Sequence, residues 1–213
     1  MNDALVRRIT AISGVLIGTT IVLSIPLYFM YQGPPPAWNV LTRNLINLLT
    51  CAGLIVFVSG FAHAVRRADA AYEWPASVIY GAGMLFTAMA LVGVSLETGT
   101  VFGAPDGTLD ATVDGLLADG NVLIHGSIKR LLSAIFLLAC SYAGSRTRLI
   151  PGWLAVAAYL IAVFNLFFVP SLYFGKDATQ FYSAIGWGNT ALCASFLVYW
   201  MLAVSIVWMR RAR

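Results

Sequence analysis

The chain has 213 residues, of which 60% are hydrophobic and only 10% charged, whereas soluble domains carry about 25% charged residues. That balance excludes an ordinary water-soluble domain and fits one polytopic membrane bundle. The net charge of +4 is not a nucleic-acid signal, because most of the cations flank apolar runs, where positive-inside bias accounts for them.

The first span covers roughly residues 9–31, after Arg7 and Arg8. It is too long for a signal peptide and lacks a cleavage pattern, so a retained helix is expected. Gly14 and Gly18 form a G-x-x-x-G pair that lets a neighbouring helix approach closely. Pro26 is expected to kink the outer end. A stiff turn, Gln32-Gly33-Pro34-Pro35-Pro36, follows.

The second span, about 41–65, holds Arg43, Asn44 and Asn47 in its first two turns and His63 near its last. It stops at Arg66-Arg67. Trp74-Pro75 opens the third span, about 76–98, with proline in the first turn and Glu97 at the far end. Residues 99–120 form an acidic loop with Asp106, Asp110, Asp114 and Asp119 and no Lys or Arg. Within it, Leu109, Val113, Leu116 and Leu117 recur at helical spacing and predict a short interfacial helix over 108–119.

The fourth span, about 121–143, carries Asn121, His125, Lys129 and Arg130 in its first half. It ends at Arg146 and Arg148. The fifth, about 150–169, starts at Pro151-Gly152-Trp153 and contains Asn165. The sixth, about 183–209, contains Asn189 and ends at Arg210 and Arg211. Tyr31, Tyr173, Tyr182, Trp187 and Trp208 fall where an aromatic belt is expected. Cys51, Cys140 and Cys193 all lie inside spans, where cysteine behaves as a small buried hydrophobe. The hairpins of spans two–three and four–five echo one another, as either a duplication or two ordinary positive-inside hairpins would.

The fold class is therefore all-α: a single domain of six transmembrane helices with both termini on one side. Nine of the thirteen Lys and Arg residues fall on that side, and six of the nine acids on the other. The positive-inside rule makes the arginine-rich side cytoplasmic, in a plasma membrane.

With that orientation, the polar residues within the spans concentrate in the outer half: Arg43, Asn44, Asn47, Glu97, Asn121, His125, Lys129, Arg130, Asn165 and Asn189, with Lys176 and Asp177 nearby. A charge at mid-depth in a bilayer costs roughly 2.5–3.5 kcal/mol on insertion scales, and intramembrane ionisable residues are functional by default. Asn121, His125 and Lys129 are spaced i, i+4, i+8 and share a helix face. Arg130 points about 100° away. Two readings stay open. Lys129 and Arg130 line a ligand pocket, or they pair with Glu97 and Asp119 as a clamp that fastens the acidic loop. His63 and His125 lie at opposite depths and cannot serve as one axial pair. No cofactor and no metal site is expected, since the cysteines are dispersed. The loop aspartates keep only part of a calcium-loop spacing. Gly-rich phosphate loops, H-E-x-x-H and G-x-S-x-G are missing, and the last span has no lysine for a retinal Schiff base.

Two stretches carry a resemblance: Arg8-Ile9-Thr10-Ala11-Ile12-Ser13-Gly14, and Ser145-Arg146-Thr147-Arg148-Leu149-Ile150-Pro151-Gly152-Trp153-Leu154. Both resemble a broad group of uncharacterised bacterial integral membrane proteins, a domain of unknown function. Here Thr147-Arg148 lengthens the turn typical of that group. The resemblance implies six or seven helices and a bacterial inner membrane, and it carries over no site residue.

The leading functional expectation is a binding or transport-type protein with an outward-facing pocket for a small anionic or lipid-head-group ligand. Lys129 and Arg130 would neutralise the ligand; Asn47, Asn121, His125, Asn165 and Asn189 would orient it, with Glu97 at hand. The second expectation is a membrane-embedded enzyme using Glu97 or His125 as acid or base. The third is a non-catalytic subunit of a larger complex. The partners allowed are the lipid bilayer, such a ligand, and a second copy or another membrane subunit, with no nucleic acid.

Overall fold

The computed structural model describes residues 3–31, 33–104, 109–111, 114 and 117–211. Six helices are long and apolar enough to cross a membrane: α1 (Asp3–Phe29), α2 (Ala37–Ala68), α3 (Ala70–Gly103), α4 (Ala118–Arg146), α5 (Gly152–Phe174) and α6 (Gly188–Arg211). The shortest has 23 residues, and about 20 suffice for a hydrocarbon core. The chain is a multi-pass membrane protein with an all-α fold.

Each helix packs against the next, and α6 returns to α1, so the six close into a ring. An aromatic column fills the centre. Phe61 of α2 stacks on Trp208 of α6 at 5.3 Å between ring centroids, with Phe57 and Trp200 at 6.1 and 6.2 Å. Trp200 donates its indole N–H to the Leu154 carbonyl and Trp208 to that of Leu149, both at 2.9 Å. Trp208 is therefore a core residue, not part of an aromatic belt; Tyr31, Tyr173 and Trp187 are exposed.

Small residues set the spacing of α1. Gly14 meets Ser205 and Phe57, and Gly18 meets Leu202, so the G-x-x-x-G pair seats α1 against α6 and α2. On α2, a Cβ at Gly60 would overlap the Thr10 side chain. Thr10 is buried with its hydroxyl turned back to the Val6 carbonyl. α1 continues as helix three residues beyond Pro26.

The helices are longer than their apolar cores suggest. α2 begins at Ala37 and α3 runs to Gly103, which shortens the acidic loop to residues 104–117. Of the expected interfacial helix, Thr108, Thr112, Val113, Gly115 and Leu116 lie outside the described residues, as does Asp106. Leu109–Ala111, Asp114 and Leu117 are not helical. α6 starts at Gly188 rather than 183. Residues 175–186 instead fold as turns and irregular chain. There Asp177 accepts hydrogen bonds from the Thr179 side chain and amide and from Gln180, which hold its carboxyl below the ordinary carboxylate value.

Replacing Gly60 tests the α1–α2 seat. Gly60→Val is expected to cost about 1–3 kcal/mol through overpacking, read as a lower denaturation midpoint of the purified protein. Gly81, which has open space around it, should tolerate the same change.

Candidate functional site

The defining local feature is a break in α4. Residues Ile124–Ile128 form a π turn, and Gly126 has non-helical angles of φ −89° and ψ −114°. A Cβ on Gly126 would lie 2.6 Å from the Ala184 carbonyl oxygen and 3.1 Å from Asn189 Nδ2. Only glycine lets the 183–184 turn press this closely. A second π turn, Gly188–Leu192, opens α6 beside it and contains Asn189. Single π turns are found frequently at functional sites.

Across the break, Asn121, His125 and Lys129 run down the side of α3. The His125 ring lies on Gly93, where a Cβ would sit 2.6 Å from its Cε1 and 3.2 Å from Asn121 Oδ1. His125 Nε2 is 3.7 Å from Glu97 Oε1, longer than a hydrogen bond. The Asn121 side chain also lies against the Glu97 carboxylate. Four residues beyond His125, Lys129 Nζ sits 5.9 Å from the centroid of the Phe86 ring.

Arg43 approaches Glu97 from α2. Its guanidinium stacks over the Tyr28 ring at 4.5 Å, and the residue is only 6% exposed. Glu97 lies within electrostatic reach of both Arg43 and Lys129, with half-buried Asp110 at the rim. Asn44 donates to Thr98 Oγ1 at 3.1 Å, and Asn47 reaches the Tyr28 hydroxyl at 3.5 Å. The cluster meets the surface at Tyr28, and the His125 side chain is 29% exposed.

Arg130 faces the other way. Its Nη1 donates to Asn165 Oδ1 at 3.4 Å, with the Cys193 thiol beside it, and Asn165 bonds back to the Ile161 carbonyl. Asn189 donates to Ser171 Oγ and to the Ala184 carbonyl, each at 2.8 Å. The eight residues expected at one pocket therefore divide. Asn47, Glu97, Asn121, His125 and Lys129 gather between α1, α2, α3 and α4. Arg130 and Asn165 lie on the α5–α6 side, and Asn189 holds the turn over Gly126.

Among the described residues, no carboxylate lies within 4 Å of Lys129, Arg43 or Arg130. Asp119, the other proposed clamp partner, pairs with Lys176. Several buried polar atoms around Glu97 also lack a partner among the described residues: Arg43 Nε and Nη2, Asn44 Oδ1 and Asn121 Oδ1. At the arginine-rich end, His63 pairs with Asp3 at 3.6 Å, and Arg67 reaches the same carboxylate. The two histidines stand far apart, as their sequence depths require.

Sequence reasoning noted Arg43 as an outer polar residue but did not place it with Lys129. The available signal was the Arg43-Asn44…Asn47 run, a second polar helix start like that of α4. Gly93 gave no signal at all. Comparison with family models, with curated proteins and with solved structures found no match.

Asn189→Leu distinguishes a structural asparagine from a ligand-orienting one. It strands the Ala184 carbonyl and Ser171 hydroxyl, and an unsatisfied buried partner costs about 1–3 kcal/mol. A lowered melting midpoint that no added anion restores selectively is the expected result.

Proposed function

We propose that this membrane protein binds a small anion or anionic lipid head group in the cluster around Arg43 and Lys129. One observation carries the reading: two cations within membrane-spanning helices have no carboxylate within 4 Å among the described residues. Desolvating a cation without a partner is costly, and an anionic ligand supplies the missing partner. Arg43 gives a planar donor fork suited to a carboxylate or phosphate, and Lys129 gives a compact point charge. Asn121, His125 and Asn47 supply hydrogen-bonding groups around it. Tyr28 and Phe86 cover the cations with aromatic faces, which favour a cation electrostatically. Arg130, Asn165 and Asn189 support the walls from the other side of α4.

On this reading the arginine-rich end faces the cytoplasm of a bacterial inner membrane, with the cluster towards the outer leaflet. Positive-inside bias and the resemblance to bacterial membrane proteins support this. Tags at either end of the chain should then be shielded from an impermeant reagent in intact cells. Labelling of either tag from outside would reverse the orientation.

Binding is tested by thermal unfolding of detergent-purified protein with short-chain phosphatidylglycerol and with small carboxylates. A bound anion should raise stability by about 2.7 kcal/mol at one hundred times Kd. The rise should vanish in Arg43→Met and Lys129→Met. No rise with any anion, or an equal rise in both variants, defeats the reading.

A further inference from the structure

The unpartnered atoms around Glu97 are not all donors, and the acceptors among them describe the rest of the ligand. Asn121 is 2% exposed, and its Oδ1 has no partner among the described residues. Its amide lies against the Glu97 carboxylate. A carboxylate accepts and never donates when ionised, so the NH2 group faces it and the carbonyl oxygen is left pointing elsewhere. Glu97 has His125 at 3.7 Å and the Asn121 amide beside it, with Arg43 and Lys129 within electrostatic reach. Asn44 Oδ1, on the neighbouring wall, is likewise buried and unpartnered.

A simple anion such as acetate or a bare phosphodiester satisfies Arg43 and Lys129 but offers nothing to these oxygens. A buried acceptor left unmade keeps the full cost of its lost hydration. Hydroxyl groups on the ligand would serve them. Charge points the same way. Two cations, Arg43 and Lys129, surround one carboxylate, Glu97, which leaves one positive charge for a single acid group.

Resting on the anion-binding reading, we infer that the ligand is a hydroxylated monoanion: one acid group held by Arg43 and Lys129, with hydroxyls donating to Asn121 Oδ1 and Glu97. Two sources have this chemistry. One is a phosphoglycerol lipid head group entering from the bilayer. The other is a water-soluble hydroxy acid.

The test compares matched pairs in the full-length purified protein. Short-chain phosphatidylglycerol is set against phosphatidylmethanol of equal chain length, which has the same phosphodiester charge and no hydroxyl. Glycerate is set against propanoate. At least a tenfold tighter apparent Kd for the hydroxylated member of one pair is expected, and the pair that shows it identifies the source. In Asn121→Leu the two members should bind alike. Equal wild-type binding within both pairs overturns the hydroxyl inference and leaves anion binding standing. No binding by any of the four compounds overturns both. A preference that persists in Asn121→Leu removes Asn121 as the acceptor and overturns the assignment. The wild-type comparison needs no variant, so a misfolded Asn121→Leu would not block the decision.

Discussion

A backbone inside hydrocarbon has no water to bond with, so any helix that breaks at membrane depth must find partners within the protein. The break at Gly126 is where that constraint acts most strongly here. The approach of the Ala184 carbonyl, fixed by Asn189, packs the opening without a side chain in between. The unwound turn also resets the rotation of α4. Lys129 then lies along α3 over Phe86, while Arg130 turns to Asn165 and Cys193. Two adjacent cations thus serve two different helix interfaces.

That division has an energetic logic. Two like charges at one site would repel in a medium of low dielectric, where Coulomb energies are several times larger than in water. Directed apart, each finds soft partners instead: an aromatic face for Lys129, an amide oxygen and a thiol for Arg130. Arg43, on Tyr28, repeats the Lys129 solution from the opposite wall. Aromatic faces and amide oxygens accompany these cations in place of a fixed carboxylate among the described residues.

The architecture was legible because hydrocarbon thickness imposes a long apolar run, and the arginines at each turn mark where it stops. The spacing of Asn121, His125 and Lys129 placed them on one side, and they do run along α3. Other features depend on contacts between residues distant in the chain. Nothing local to residues 183–186 says that they leave the helix; Asn189 and Gly126 decide it. Trp208 looked interfacial by depth, yet its indole caps the Leu149 carbonyl beside the α4–α5 turn. The electrostatic proximity of Arg43 to Glu97 spans α2 and α3, and neither helix alone announces it.

The closed ring also bears on the order in which the protein is made. Residues forming the polar cluster, from Tyr28 to Lys129, are all synthesised before α5 begins. The glycine face of α1 and the carbonyls of Leu149 and Leu154 must wait for Ser205, Trp208 and Trp200. Asn189 likewise arrives some sixty residues after the Gly126 turn it secures. A ribosome-bound intermediate with four or five helices therefore holds the charged residues in the membrane before their scaffold is locked. α6 is the latch of the ring, and a chain without it has an open seam between α1 and α5.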